Sequence, residues 1–110
     1  MDRLPPDLAD VIAQLRQELE ELYGERFRDL LLYGSYARGD QREGSDIDLL
    51  LLLDGPLNTG LEIMRTTNIS APLSLAHDIL LAVMPVDYAA YQEGKTSFLR
   101  TVRKDAVRAA

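Results

Sequence analysis

The chain of 110 residues contains no cysteine, no tryptophan and a single histidine. Without cysteine it can form no disulfide, no thiolate zinc site and no cysteine nucleophile. The histidine, His77, has no second imidazole beside which to bind a metal ion, so we expect it to be structural. Apolar runs such as Leu49 to Leu53 are far shorter than the roughly 20 residues of a membrane-spanning helix.

The start of the sequence does not have the pattern of a signal peptide. The first ten residues carry three aspartates and two prolines rather than an apolar stretch. Together with the absence of cysteine, which fits a reducing compartment, this pattern predicts a cytoplasmic protein with no membrane contact.

Positive charge is scarce as well. Twelve Lys and Arg against eighteen Asp and Glu give a formal net charge of −6. Phosphate-backbone contacts require a basic surface, so we expect no direct binding of nucleic acid. Any nucleotide must then be held locally, by metal ions or by a few basic side chains.

Hydrophobic periodicity predicts one α/β (α+β) domain over residues 1–110, with helices packed against a sheet. The element order is α-β-β-α-β-α-α, with a short helical turn at 35–38 and a loop over 39–45. Pro72 is expected to break the second helix and Pro85 to stop the third strand. The predicted helices span 6–23, 58–68, 87–92 and 96–108, and the predicted strands span 28–33, 46–53 and 79–84.

Two aspartates stand at the start of the apolar segment 46–53. Alternate residues of a strand share a face, so Asp46 and Asp48 point the same way, with Cα atoms roughly 6–7 Å apart. Carboxylates entering a buried strand are costly without compensation, and a hard divalent cation supplies it. Magnesium typically binds one or two carboxylates together with substrate phosphates.

The step Gly34-Ser35 directly follows the first predicted strand. Glycine allows a sharp turn and close approach of a ligand, and Ser35 offers a hydroxyl and a backbone N–H to a phosphate. Arg38 either touches that phosphate or pairs with an acidic loop residue. The spacing Gly34 to Gly39 matches the start of a P-loop, but Asp40 and Gln41 replace its Lys and Ser or Thr, which excludes that motif.

A third carboxylate, Asp78, stands at the start of the third apolar run, as Asp46 stands at the start of the second. If the two strands are neighbours, Asp78 reaches the same metal site. Asp54 and Asp87 are the next candidates for a third carboxylate.

Gly34-Ser35, followed after ten residues by Asp46-Ile47-Asp48, resembles the signature of the DNA polymerase β-type nucleotidyltransferase superfamily. The runs Gly-Ser-Tyr-Ala-Arg-Gly and Ser-Asp-Ile-Asp-Leu are similar to its minimal nucleotidyltransferase branch. That branch includes the MntA-like antitoxins, which pair with HEPN-domain toxins and transfer AMP onto a toxin tyrosine. The resemblance spans Leu30 to about Val107 and implies a mixed sheet.

The resemblance also implies roles for single residues. Gly34 and Ser35 would hold the terminal phosphates of ATP, with Arg38 beside them. Asp46 and Asp48 would hold two Mg²⁺ ions. Asp78 would ligate one of these ions and act as base, and a HEPN-type toxin would supply the acceptor hydroxyl.

Three activities therefore stand side by side: nucleotidyl transfer to a protein hydroxyl, transfer to a small molecule, and neutralisation of a toxin by contact alone. Tyr33 and Tyr36 are expected to pack rather than to stack on a base. Arg100, Lys104 and Arg108 are expected to share one solvated face of the last helix.

Overall fold

The computed structural model describes residues 6–42, 44 and 46–109. Residues 43 and 45, within the predicted 39–45 loop, and the chain ends at 1–5 and 110 lie outside the described part. The helices are α1 (Pro6–Tyr23), α2 (Ser35–Arg38), α3 (Thr59–His77), α4 (Tyr88–Glu93) and α5 (Ser97–Asp105). The strands are β1 (Phe27–Tyr33), β2 (Ile47–Leu53), β3 (Leu81–Asp87) and β4 (Val107–Arg108), and a 3₁₀ turn (Gly24–Arg26) joins α1 to β1.

The four strands form one mixed sheet in the order β3-β2-β1-β4. β1 pairs antiparallel with β2 and with β4, whereas β2 and β3 run parallel. This architecture confirms the predicted mixed sheet with helices packed against it.

The central strand β2 is buried on both faces. Alternate leucines point to opposite sides, so Leu49, Leu51 and Leu53 join a core with α1 and α3, and Leu50 and Leu52 join a second core with α4 and α5. A fully buried leucine contributes roughly 1.5–3 kcal/mol relative to an exposed one. The sheet is therefore held between two helical layers, and both layers are required to bury the leucines of β2.

Helix α1 has the bounds that its apolar spacing predicts. Val11, Ile12, Leu15 and Leu19 recur every three or four residues and are all buried in the larger core. Leu22, which continues the same spacing, is exposed. None of the helices in the described part of the chain is both long enough and apolar enough to cross a bilayer.

The prediction that Pro72 ends the second helix is wrong. α3 continues through Pro72 to His77, because its last turns are held by tertiary contacts. Leu73 is buried in the larger core, and the Ser74 hydroxyl accepts a hydrogen bond from the Leu81 amide at 3.1 Å. These contacts outweigh the backbone hydrogen bond that a proline removes.

Two further boundaries differ from the sequence prediction. β3 extends through Pro85 to Asp87, which an edge strand tolerates because one side of it needs no partner. The last helix ends at Asp105 rather than at 108, and Val107 and Arg108 pair with Leu32 and Leu31 as β4. Arg108 therefore does not share a helix face with Arg100 and Lys104.

A buried carboxylate joins α3 to the start of the sheet. The Glu62 side chain is only 4% exposed; it accepts a hydrogen bond from the Tyr23 hydroxyl at 2.9 Å and pairs with Arg26 at 3.4 Å and with Arg65 at 3.5 Å. Burial of Tyr23 and, to a smaller extent, its hydrogen bond to Glu62 raise the pKa of this phenol to about 12.

We predict a stability cost of Tyr23→Phe that depends on pH. At pH 8 the variant should be less stable by about 1 kcal/mol, the contribution of a typical hydrogen bond. The folded wild type keeps the phenol proton to a higher pH than the unfolded chain, so this contribution is lost between about pH 10 and the folded pKa of about 12. The difference in free energy of unfolding, measured by urea denaturation, should therefore shrink in that range.

Tyr36→Phe removes a hydroxyl elsewhere and serves as the control. A cost of Tyr23→Phe that stays constant from pH 8 to pH 11 would contradict the assignment of Tyr23.

Candidate active site

The antiparallel register of β1 and β2 builds the centre of the site. It pairs Tyr33, the last residue of β1, with Asp48, the second residue of β2. The chain then turns at Gly34, with φ 74° and ψ −152°, a region that an L side chain rarely adopts. Helix α2 starts directly after it at Ser35. The predicted Gly-Ser turn therefore lies next to the aspartate at the start of β2.

Gly34 lies directly against the Asp48 carboxylate. A Cβ atom added to Gly34 would stand 3.2 Å from Asp48 Cγ and closer still to Oδ2. A side chain at this position would displace the carboxylate, so glycine is required there.

The two aspartates of the predicted pair act on each other. Asp46 is exposed just before β2, and Asp48 is partly buried on it. Burial, and then the charge of Asp46, raise the pKa of Asp48, while Arg38 opposes the shift. Two like charges that destabilise each other in a half-buried position are a donor set that fits a divalent cation with oxygen ligands.

Arg38 stands at the end of α2 and is already paired. Its guanidinium donates to Asp40 at 3.2 Å and to Asp105, at the end of α5, at 3.4 Å. The sequence allowed either phosphate contact or an acidic loop partner, and the structure shows the loop partner, Asp40. Asp105 was not predicted, because 67 residues separate it from Arg38 and no local pattern links them.

The structure places Asp78 at the end of α3 instead of at the start of a strand. It caps the helix in a left-handed conformation (φ 51°), with its N–H donating to the Ser74 carbonyl. The expected strand start is wrong because α3 is longer than predicted, and β3 begins only at Leu81.

Asp78 and the Asp46–Asp48 pair do not form one metal cluster. Within residues 6–42, 44 and 46–109, no three carboxylate or imidazole side chains are placed so that they could hold a metal ion. Asp78 instead lines a cleft of about 380 Å³, together with residues that include Tyr36, Gly44, Ser74, Leu75 and Leu80. Gly44 stands two residues before Asp46, and the Leu80 carbonyl accepts the amide of Ile47, so this cleft borders the pair.

The two fallback candidates for a third carboxylate lie elsewhere. Asp54 follows the last residue of β2, and Asp87 is the last residue of β3. Because β2 and β3 are parallel and Asp87 pairs with Leu53, Asp54 stands about 20 Å and Asp87 about 17 Å along the strands from Asp48.

Known proteins resemble this chain in sequence and in fold. The profile of the family described as "Nucleotidyltransferase domain" matches residues 12–107. The chain belongs to this family. The nucleotidyltransferase is 31% identical over 101 residues to "Putative protein adenylyltransferase MJ0141" of Methanocaldococcus jannaschii, a match covering 92% of this chain and 97% of that protein. A second protein of that organism, "Putative protein adenylyltransferase MJ0604", is 44% identical over 43 residues, which cover 39% of this chain and 43% of that one.

A solved structure shares the fold. The crystal structure of a toxin–antitoxin with AMP-PNP matches 93% of this nucleotidyltransferase and 72% of the other chain, with a TM-score of 0.62 and 19% sequence identity. The family match and the fold together make the chain a nucleotidyltransferase of α/β architecture.

Gly34→Ala and Gly39→Ala together test the close approach. Both glycines have positive φ, but Gly39 (ψ 17°) lies in the left-handed helical region, where alanine costs about 1–2 kcal/mol, whereas Gly34 (ψ −152°) lies in a region that is essentially restricted to glycine and is strained more. Only at Gly34 does the new Cβ meet the Asp48 carboxylate; at Gly39 it meets nothing within 4 Å. We predict that Gly34→Ala loses nucleotidyl transfer and more stability, whereas Gly39→Ala keeps most of its activity. Equal loss of labelled-nucleotide transfer in the two variants would contradict this.

Asp48→Asn tests the electrostatic cost of the pair. Because burial and Asp46 disfavour the charged form of Asp48, a neutral amide of the same size should raise the stability of the protein free of metal and nucleotide at pH 7. The same change should abolish transfer. The free energy of unfolding in EDTA checks this; a variant less stable than wild type would show that the carboxylate is stabilised in place.

Proposed function

We propose that this nucleotidyltransferase is a magnesium-dependent protein adenylyltransferase, which transfers AMP from ATP to a hydroxyl of a partner protein. The observation that carries the proposal is the contact between the Gly34 backbone and the Asp48 carboxylate, because it sets the Gly-Ser turn, a candidate phosphate site, directly beside a group that can bind a cation. A protein acceptor is supported by the name of MJ0141, the putative protein adenylyltransferase that this chain matches over 97% of its length.

Each residue of the proposed nucleotide site has a role that its position allows. Gly34 leaves room for the terminal phosphates, and Ser35 donates to them through its hydroxyl and backbone N–H. Arg38, one turn further, adds a guanidinium at the end of α2. Asp46 and Asp48 would hold two Mg²⁺ ions, and the positive charge of these ions would offset charge on the attacking and leaving oxygens of an in-line displacement. Asp78, which does not join the pair in the described structure, is assigned no metal ion in this proposal.

The proposed reaction forms one bond and breaks one. The acceptor hydroxyl oxygen bonds to the α-phosphorus of ATP, and the bond from that phosphorus to the oxygen bridging to the β-phosphate breaks. Pyrophosphate leaves with the electron pair. The hydroxyl proton passes to the carboxylate of Asp78, the base in this proposal.

The acceptor side of the proposed site is the cleft that Asp78 lines. It borders the carboxylate pair at Gly44 and Leu80, so a hydroxyl entering it reaches the pair from the α3 side. We propose that the acceptor is a tyrosine of a HEPN-type toxin and that the chain, as a single domain, is the antitoxin. A net charge of −6 suits a basic partner, because opposite potentials steer encounter. We also propose a cytoplasmic location, where ATP is at hand.

Intact-mass measurement of the partner tests the proposal. The chain is purified with its genomic neighbour and incubated with ATP and Mg²⁺. We predict that the partner gains the mass of one or more AMP units, and that EDTA, Asp46→Asn or Asp48→Asn prevents the gain. Asp78→Ala should also prevent it, but should keep part of the ATP affinity because the Asp46–Asp48 pair remains.

Asp54→Ala is the control, since it removes an aspartate at the far end of β2. It should leave the mass gain unchanged. Neutralisation of the partner without any mass gain, undisturbed by Asp46→Asn, would favour a module that binds by contact alone. Normal modification by Asp78→Ala would show that Asp78 is not the base.

A further inference from the structure

An aromatic ring is exposed at the edge of the carboxylate site. Phe98, in the first turn of α5, is 47% exposed. Its ring meets the ring of Tyr33 edge to face, with centroids 6.0 Å apart and planes at 84°. Edge-to-face packing is a favoured geometry for two aromatic rings, so Phe98 is held in place while remaining open to solvent.

Tyr33 connects this ring to the carboxylates. It is the register partner of Asp48, and partners across antiparallel strands point to the same face of the sheet. Burial and the charge of Asp48 both raise the pKa of Tyr33, as expected for a phenol packed beside that carboxylate. Asp48, Tyr33 and Phe98 therefore follow one another across one face of the sheet.

Helix α5 forms one rim of the site. The Val102 side chain is buried with Leu31, Leu50 and Leu52 and anchors the helix against the sheet. Asp105, at its end, holds Arg38, and Phe98, near its start, meets Tyr33. Seven residues of helix separate these two contacts, about 10 Å along the axis. The span is on the order of the distance from the phosphates to the base of an extended nucleotide.

We propose that Phe98, supported by Tyr33, is the nucleobase subsite, on whose ring the base of the bound nucleoside triphosphate stacks. The assignment rests on the proposed function, because it places the triphosphate at Gly34, Asp46 and Asp48. A base has a flat π-face and stacks readily on an aromatic side chain. An apolar ring fixes the position of a base without reading its edge, so the subsite provides affinity for a nucleoside more than choice among bases.

The cleft beside Asp78 suits the base less well. It lies on the α3 side of the carboxylate pair, and its lining includes Asp78 and the Ser74 hydroxyl. Among the described residues that line it, Tyr36 is the one aromatic. The aromatic pair Tyr33–Phe98 lies on the α5 side of the carboxylates, and the cleft remains available for the acceptor.

Comparison of two ligands separates the base from the phosphates. Titration of the protein with Mg²⁺ and ATP, and with Mg²⁺ and inorganic tripolyphosphate, is followed by calorimetry for wild type, Phe98→Ala and Phe98→Leu. Loss of base stacking should weaken ATP binding about tenfold in Phe98→Ala. The affinity for tripolyphosphate should not change in either variant. ATP binding should be weakened less in Phe98→Leu than in Phe98→Ala. Leu22→Ala, which removes an apolar side chain of similar exposure (45%) from α1, should leave both affinities unchanged.

Three results would overturn the subsite. ATP affinity unchanged in Phe98→Ala would exclude stacking, and if that variant instead failed to capture the acceptor protein, the ring would be a protein contact. Equal weakening of ATP and tripolyphosphate would make Phe98 a structural support only. Failure of the wild type to bind either ligand would contradict the proposed function itself, and with it this subsite. A wild type that binds both ligands supports the proposed function whatever Phe98→Ala does.

Discussion

The pairing of Tyr33 with Asp48 across β1 and β2 is the contact on which the candidate site depends. Both faces of β2 carry buried leucines, so burial of apolar side chains alone does not select the register. A slip by one residue would turn Asp48 into the core under α1 and α3, where an unpaired charge is costly. It would also separate Asp48 from Gly34 and from Tyr33. The cost of burying one carboxylate thus fixes the sheet register and the site together.

Elements with a local cause were predictable from the sequence. The apolar spacing predicted α1 with its observed bounds, and the run of leucines predicted β2 to within one residue. The ends of α3 and α5 were not, because distant residues decide them. Contacts of Leu73 and Ser74 stabilise α3 beyond Pro72, and Val107 and Arg108 pair with the edge of β1 instead of continuing the last helix. Neither contact can be predicted from the residues that are adjacent in sequence.

The same division runs through the site. Gly34, Ser35, Asp46 and Asp48 could be singled out from their spacing, and the structure brings Gly34 and Asp48 into contact. The partners that surround them come from far along the chain: Asp105 reaches Arg38, and Phe98 reaches Tyr33. Tyr33 was expected to pack, and it does so, against Phe98 beside Asp48. Asp78 shows the opposite failure, since a plausible position in sequence became a helix cap once α3 ran on to His77.

Charge around the Gly34 turn sets a condition on how an anion binds there. Arg38 is shared between Asp40 and Asp105, so much of its positive charge is offset before any phosphate arrives. Asp46 and Asp48 repel each other and would repel a triphosphate as well. Under the proposed function, we therefore expect a nucleoside triphosphate to bind together with cations, because the Arg38 guanidinium already faces two carboxylates and the Asp46–Asp48 pair adds two more negative charges. Affinity for the nucleotide and affinity for the metal would then be coupled, each raising the other.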